Sequence, residues 1–332
     1  MSKKYHIITY GCQANVADSE RIASKLNALG YRIAKDEKDA DLIVLNACSV
    51  RQSAMNRVYA KINKYKNKKI ILAGCLLESD KKKLKNKVSD IWHPDEYFDL
   101  PPAGGPKDYS HSKASYVPIM TGCNNFCTYC AVPYTRGRER SRPAKEIIDE
   151  VKRLLNKDYK EIWLLGQNVN SYPNFPDLLR RVNKISEDFK IYFMSPHPKD
   201  FSDEMIKAIK ECEKFSGSIN LPVQAGNDEI LKKMNRPYTI AHYKKLVRKI
   251  RKAIPNIKIS TDVIVGFPGE TKKQFQDTVK LFKEIKFNKA YISRYSPRPG
   301  TVAAKLKDNV PPAEKKRRWQ ILNEIANAKN KK

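Results

Sequence analysis

Three short apolar runs, 5–12, 41–48 and 70–75, each end in a cysteine, with helical patterning between them. The first reads Tyr-His-Ile-Ile-Thr-Tyr-Gly-Cys; Ile22, Leu26 and Leu29 then share one helical face before Gly30 stops the helix. The second is Asp-Leu-Ile-Val-Leu-Asn-Ala-Cys and the third Ile-Ile-Leu-Ala-Gly-Cys, with Val58, Ile62 and Tyr65 on the helix between. Apolar runs alternating with helices predict a parallel sheet covered on both faces. Ligands of open α/β sheets collect at the carboxyl ends of the strands. Cys12, Cys48 and Cys75 are therefore expected to meet at one sheet edge. Any one of them alone reads as a buried structural thiol. Three at the same topological position read as ligands of one cluster, with an iron left open.

A second cysteine group is local. Residues 123–130 read Cys-Asn-Asn-Phe-Cys-Thr-Tyr-Cys, placing Cys123, Cys127 and Cys130 at C-x3-C-x2-C. Three thiolates can ligate three irons of a [4Fe–4S] cluster, which ordinarily takes four Cys ligands, so the fourth iron is open for chemistry. Structural zinc is the competing reading, but it needs four ligands. No Cys or His follows Cys130 at zinc spacing, and the nearest before Cys123 is His111.

From about residue 115 the pattern becomes strand, turn, helix, repeated. Strand-like runs lie at 116–120, 161–165, 191–194, 218–223, 257–265 and 290–295. Helical patterns include 144–156 and 271–286, the second opened by Thr271 and Gln274 in capping-box spacing. The stretch 94–114, with Pro94, Pro101, Pro102, Gly104, Gly105 and Pro106, reads as a linker. Six βα units suggest a partial (β/α)6 barrel, whose sites lie at the strand C-termini. Trp319, Leu322 and Ile325 mark a final helix.

Composition narrows the partners. The 332 residues carry 65 Lys and Arg against 36 Asp and Glu, a formal net charge of +29. Such a charge favours a polyanion, because neutralising phosphates releases counterions. The plainer reading is a solvated Lys-rich surface, as at Lys81–Lys83. No run of 18 apolar residues exists and the N-terminus lacks a signal-peptide core, so a soluble, cytoplasmic protein with no membrane partner is expected. Seven cysteines in such a chain point to metal or catalysis over disulfides. Arg136, Arg138, Arg140 and Arg142 recur at period two, which in an extended chain aligns four guanidiniums for RNA contact. A solvated loop, with Glu139 balancing one charge, is the alternative. Cys212, on a helix face with Met205, Ile206 and Ile209, reads as a structural thiol, and His197 as a satisfied loop histidine.

The C-x3-C-x2-C segment, with Tyr129 before its last cysteine, resembles the radical S-adenosylmethionine (SAM) enzymes. The N-terminal cysteine trio and residues 9–20, Thr-Tyr-Gly-Cys-Gln-Ala-Asn-Val-Ala-Asp-Ser-Glu, resemble the methylthiotransferases of that superfamily, and their MiaB-type tRNA branch in particular. The likeness covers nearly the whole chain, through 295–301. It implies an α/β chain in the order Rossmann-like parallel domain (1–93), linker (94–114), radical SAM barrel (115–310) and C-terminal helix (311–332). Typical members continue into a β-barrel domain called TRAM that helps bind RNA, and none is expected within these residues.

The resemblance also implies the chemistry. SAM would chelate the open iron at Cys123, Cys127 and Cys130 and be cleaved there to a 5′-deoxyadenosyl radical, with a second cluster at Cys12, Cys48 and Cys75 handling sulfur. Tyr129 would lie near the adenine and Gly166, Gln167 and Asn168 at the methionine amino group. Gln224 would face ribose and carboxylate, and Val265 and Gly266 the adenine. The implied reaction is methylthiolation at C2 of N6-isopentenyladenosine 37 in a tRNA anticodon stem-loop. Implied partners are a flavodoxin or ferredoxin electron donor and a sulfur donor the sequence does not name; a monomer is expected. Threonylcarbamoyladenosine or a ribosomal-protein aspartate is the alternative substrate, and a non-catalytic, metal-stabilised RNA-binding protein the alternative class.

Overall fold

The structure, a computed structural model, describes residues 3–49, 52–103 and 113–327. Compactness divides the chain into two units, Met1–Asn124 with Ala131–Tyr159, and Asn125–Cys130 with Lys160–Lys332.

The first unit begins β1 (Lys4–Tyr10), α1 (Gln13–Ala28), β2 (Arg32–Ile33), β3 (Leu42–Cys48), α2 (Gln52–Lys64), β4 (Lys69–Cys75), α3 (Glu78–Leu84) and β5 (Asp90–Trp92). The strands form one parallel sheet in the order β2-β1-β3-β4-β5. This is the flavodoxin-like doubly wound order, whose switch point lies between the first and third strands. Strand β3 is buried along its whole length because both its faces are covered. Ile43, Leu45 and Ala47 pack with Met55, Val58 and Ile62 of α2. Leu42 and Val44 pack on the other face with Ile22 and Leu26 of α1. The three runs read from sequence become β1, β3 and β4. The edge strands β2 and β5 are too short to show a pattern. Leu29, expected on the apolar face of α1, is instead the C-cap residue and is 60% exposed.

Within the stretch expected as a linker, Pro94–Glu96 form a 3₁₀ turn, and Tyr97 and Phe98 are buried. Gly104, Gly105, Pro106 and His111 lie outside the described residues. The unit continues with β6 (Ala114–Pro118), β7 (Met120–Thr121), α4 (Val132–Thr135), β8 (Arg140–Ser141) and α5 (Ala144–Leu155). Strands β7 and β8 pair antiparallel.

The second unit runs β9 (Glu161–Leu165), α6 (Phe175–Asn183), β10 (Lys190–Phe193), α7 (Asp203–Glu211), β11 (Ser218–Asn220), α8 (Asp228–Lys233), α9 (Ile240–Ala253), β12 (Lys258–Val265), α10 (Lys272–Ile285), β13 (Lys289–Arg294) and α11 (Pro312–Asn327). Strand β9 pairs in parallel with β10, and β12 with both β11 and β13. Strand β12 alternates exposed or half-buried with buried positions, and Ile259, Thr261, Val263 and Val265 face inward. The capping box on α10 forms as the sequence anticipates, Gln274 N donating to Thr271 Oγ1 at 3.2 Å. Strands β6 and β9 to β13 fall on the six runs read from sequence, each within a few residues of the expected bounds.

Candidate functional site

The sheet of the first unit brings its cysteines to one edge. Cys48 and Cys75 stand opposite each other in the β3–β4 register. Cys12 is the N-cap of α1, just past β1, and is exposed, while the other two are buried. Asn15 ties this edge together: its Oδ1 accepts from Cys12 N at 3.2 Å, and its Nδ2 donates to Asn46 Oδ1 and Ala47 O. Gly74 has φ +100, and a Cβ there would sit 2.3 Å from Ala47 O, so the backbone turns into this edge only as glycine. A hydrogen bond with Cys48, reinforced by burial, pushes the Cys75 thiol well above its ordinary pKa. Among the described residues no three Cys, His, Asp or Glu side chains are gathered closely enough to hold a metal ion. The donor chemistry nonetheless fits iron and sulfide, since soft thiolates select such centres.

Cys123 closes the same unit's list of thiols; it is buried, and its N–H donates to Gly137 O at 3.2 Å. In the second unit the loop carrying Cys127 and Cys130 is held from several sides. Cys130 N donates to Cys127 O, and Phe126 sits at φ 47. Thr128 donates through N to Met234 O and through Oγ1 to Lys233 O. Asn235 Nδ2 donates to the carbonyls of Asn125 and Phe126. Arg236 is the residue that sequence reasoning missed. It is 7% exposed, with Nη1 3.6 Å from Cys127 Sγ, Nη2 on Pro222 O and Nε on Tyr238 Oη. Burial alone would lower its pKa, but Tyr129, Tyr238 and Cys127 raise it above its ordinary value. A buried cation thus faces the cysteine loop and reaches the carbonyl of Pro222, just past β11.

The strand ends of this unit carry polar atoms that no other side chain or backbone group satisfies. Gln167 Oε1, Asn168 Oδ1 and His197 Nε2 are buried without a hydrogen-bond partner. Buried polar atoms in native proteins are nearly always paired, so these three after β9 and β10 are free to bond a ligand or an ordered water. Asn168 is fixed by its Nδ2 on Asp200 Oδ2 at 2.8 Å. His197 Nδ1 accepts from Lys199 N, which places the ring hydrogen on Nε2. Burial first, then Arg236 and Lys199, lower the His197 pKa to about 2, so the ring stays neutral. The reading of His197 as a satisfied histidine holds for one nitrogen only.

Gln224 adopts φ +66, costly for a residue with a Cβ, and is locked by its N–H to Asp262 O and its carbonyl from Ile264 N. Gly266 has φ +70 and abuts Lys315, whose Cγ would lie 2.4 Å from an added Cβ. Its N–H donates to Glu270 Oε2 at 2.7 Å, and Arg318 Nη1 pairs with the same oxygen. Val265 is fully buried, Tyr129 half-buried. Cys212 is buried, donates to Asn183 Oδ1 and is raised by burial to about 11, as a structural thiol should be.

The arginine stripe is not one surface. Helix α4 and a turn at Gly137 (φ +74) interrupt the extended chain that period two requires. Arg136 and Arg142 are each 4% exposed. Arg136 pairs with Asp18, and Arg142 with Glu150 at 2.8 Å. Arg138 and Arg140 are exposed, and Arg140 binds Asp95 and Asp99. Arg136 and Arg142 are therefore buried ion-pair partners and not members of one exposed stripe.

The family model of the radical SAM superfamily matches residues 117–282, and that of an uncharacterized protein family, UPF0004, matches 4–93. The chain is similar to the tRNA-2-methylthio-N6-dimethylallyladenosine synthase of Clostridium novyi, 43% identical over 99% of this chain and 83% of that protein. It is also similar to the same-named enzyme of Syntrophomonas wolfei, 42% identical over 96% and 81%. Among solved structures it resembles the radical SAM methyltransferase TsrM from Kitasatospora setae, with cobalamin and a [4Fe–4S] cluster bound. That match has a TM-score of 0.67 and 13% identity, covering 92% of this chain and 77% of the other. The cobalamin-dependent radical enzyme OxsB matches with TM-score 0.62 and 11% identity, over 99% of this chain and 56% of that one. At these identities the two structures speak to the fold.

Proposed function

The chain belongs to the radical SAM superfamily and, within it, to the tRNA-2-methylthio-N6-dimethylallyladenosine synthases, and from that membership we propose that it adds a methylthio group to C2 of N6-isopentenyladenosine 37 in tRNA. It is a transferase that uses SAM and [4Fe–4S] clusters. The observation that carries the reading is the placement of Cys12, Cys48 and Cys75 at successive strand ends of one parallel sheet, in a chain that also holds Cys123, Cys127 and Cys130 at C-x3-C-x2-C.

In this reading each trio holds one cluster. When bound, the cofactors supply the electron, the adenosyl group that activates the adenine C2–H, the sulfur and the methyl group. The chain's own residues bind and orient. Gln167 Oε1 and Asn168 Oδ1 are acceptors suited to the methionine ammonium, next to Gly166. Gln224 would meet ribose and carboxylate, Val265 and Gly266 would lie on the adenine side through their backbone, and Tyr129 would lie near the adenine. His197 keeps a neutral N–H inside the site and adds no charge to it. Arg236 places a buried cation beside Cys127.

The domains are then 1–93 for the sulfur-handling cluster, 94–114 a connector, 115–310 the radical barrel and 311–332 a C-terminal segment whose helix is described over Pro312–Asn327. RNA contacts are left to Arg138, Arg140 and other surface cations. The electron donor is a low-potential flavodoxin or ferredoxin, and the protein acts as a cytoplasmic monomer. Among the described residues no helix is long and apolar enough to cross a membrane.

Anaerobic reconstitution with iron and sulfide tests the two-cluster reading. Wild type should take up about twice the iron of either Cys12→Ala or Cys123→Ala, as two independent clusters of one kind require. Uptake of zinc alone, or equal iron in all three proteins, would overturn it.

A further inference from the structure

Arg136 and Asp18 meet at the sulfur-handling cysteines, though 118 residues separate them. Arg136 Nε donates to Cys75 Sγ at 2.8 Å, Nη1 lies 3.4 Å from Asp18 Oδ1, and Nη2 holds Asp18 Oδ2. Arg136 is 4% exposed, Asp18 2% and Cys75 4%, so little water screens these charges. Tyr97, wholly buried, faces the same group. Cys48 is the register partner of Cys75, so the pair acts at close range on whatever the two thiols hold.

An N–H donated to a ligating sulfur, and a cation beside it, stabilise the reduced and more negative state of a cluster; a buried anion opposes it. The two charges do not cancel at Cys75, because the guanidinium touches the sulfur and the carboxylate stands behind it. We propose that Arg136 sets the reduction potential of the cluster held by Cys12, Cys48 and Cys75, with Asp18 orienting the guanidinium and moderating its charge. The inference rests on the reading of these cysteines as cluster ligands. A merely structural ion pair would respond alike to loss of either partner. A tuning pair responds with opposite signs.

The test uses the full chain with Cys123, Cys127 and Cys130 all replaced by Ala, reconstituted with iron and sulfide. Dithionite titration, followed by the paramagnetic signal of the reduced cluster, gives the midpoint potential. Arg136→Gln should make it more negative, and Asp18→Asn less negative. Arg136→Lys should recover part of the loss by keeping the charge. If Arg136→Gln fails to fold, Asp18→Asn decides by its sign alone. Shifts in the same direction, or none, overturn the inference while leaving the cluster ligands in place. Failure of the triple-alanine protein to take up any cluster overturns the ligand reading and the inference with it.

Discussion

Gln167 offers the cleanest residue-scale test of the proposed SAM site, because its Oε1 has no partner to lose. Gln167→Ala should weaken equilibrium SAM binding about tenfold, the worth of one hydrogen bond of roughly 1.4 kcal/mol. Calorimetric titration of the reconstituted protein, with a thermal melt beside it, checks this; a lower melting temperature with unchanged affinity would make Gln167 structural. Glu20 gives a pH signature. Burial is the main cause that raises its pKa to about 7, with Glu150 adding to it and Arg21 opposing. An acid raised in the folded state contributes stability below its unfolded pKa of 4.5 and loses it as pH climbs through 7. Glu20→Gln should therefore gain about 3 kcal/mol over wild type at pH 8 and nothing near pH 4, read by denaturant unfolding at both. The strand-end positions of Cys12, Cys48 and Cys75 and the spacing of Cys123, Cys127 and Cys130 were legible because both are local facts. Arg236 and Asp18 were not, since each meets its cysteine or arginine across more than a hundred residues.

At the scale of elements, α1 and α5 are joined by a buried Arg–Glu–Arg group. Glu150 takes Arg21 at 2.9 Å and Arg142 at 2.8 Å, and the side chains of Arg21 and Glu150 are both fully buried. Replacing Glu150 by Gln strands two buried cations and should cost about 3–5 kcal/mol. Chemical denaturation checks this, and a loss under about 1 kcal/mol would show that water reaches the group. The elements themselves were largely readable. Runs such as 161–165 and 257–265 carry the apolar pattern that sheet burial demands, and they appear as Glu161–Leu165 and Lys258–Val265. The arginine stripe misled because period two encodes a face only in an extended chain. Residues 132–135 prefer a helical turn, and Gly137 then reverses the backbone. Leu29 misled for a related reason: helical periodicity does not mark where the helix stops.

For the whole molecule, the charge of +29 makes RNA affinity a salt-dependent quantity. The logarithm of the association constant for an anticodon stem-loop should fall linearly with the logarithm of salt concentration, as fluorescence anisotropy would show. A flat response would place recognition on uncharged contacts instead. One measurement reaches the proposed reaction directly. Reconstituted protein is incubated anaerobically with SAM, dithionite and isopentenylated anticodon stem-loop RNA, and the nucleosides and 5′-deoxyadenosine are followed by mass spectrometry. The expected products are 2-methylthio-N6-isopentenyladenosine and 5′-deoxyadenosine, both abolished by Cys123→Ala. A protein loaded with both clusters that forms neither product would contradict the proposed reaction.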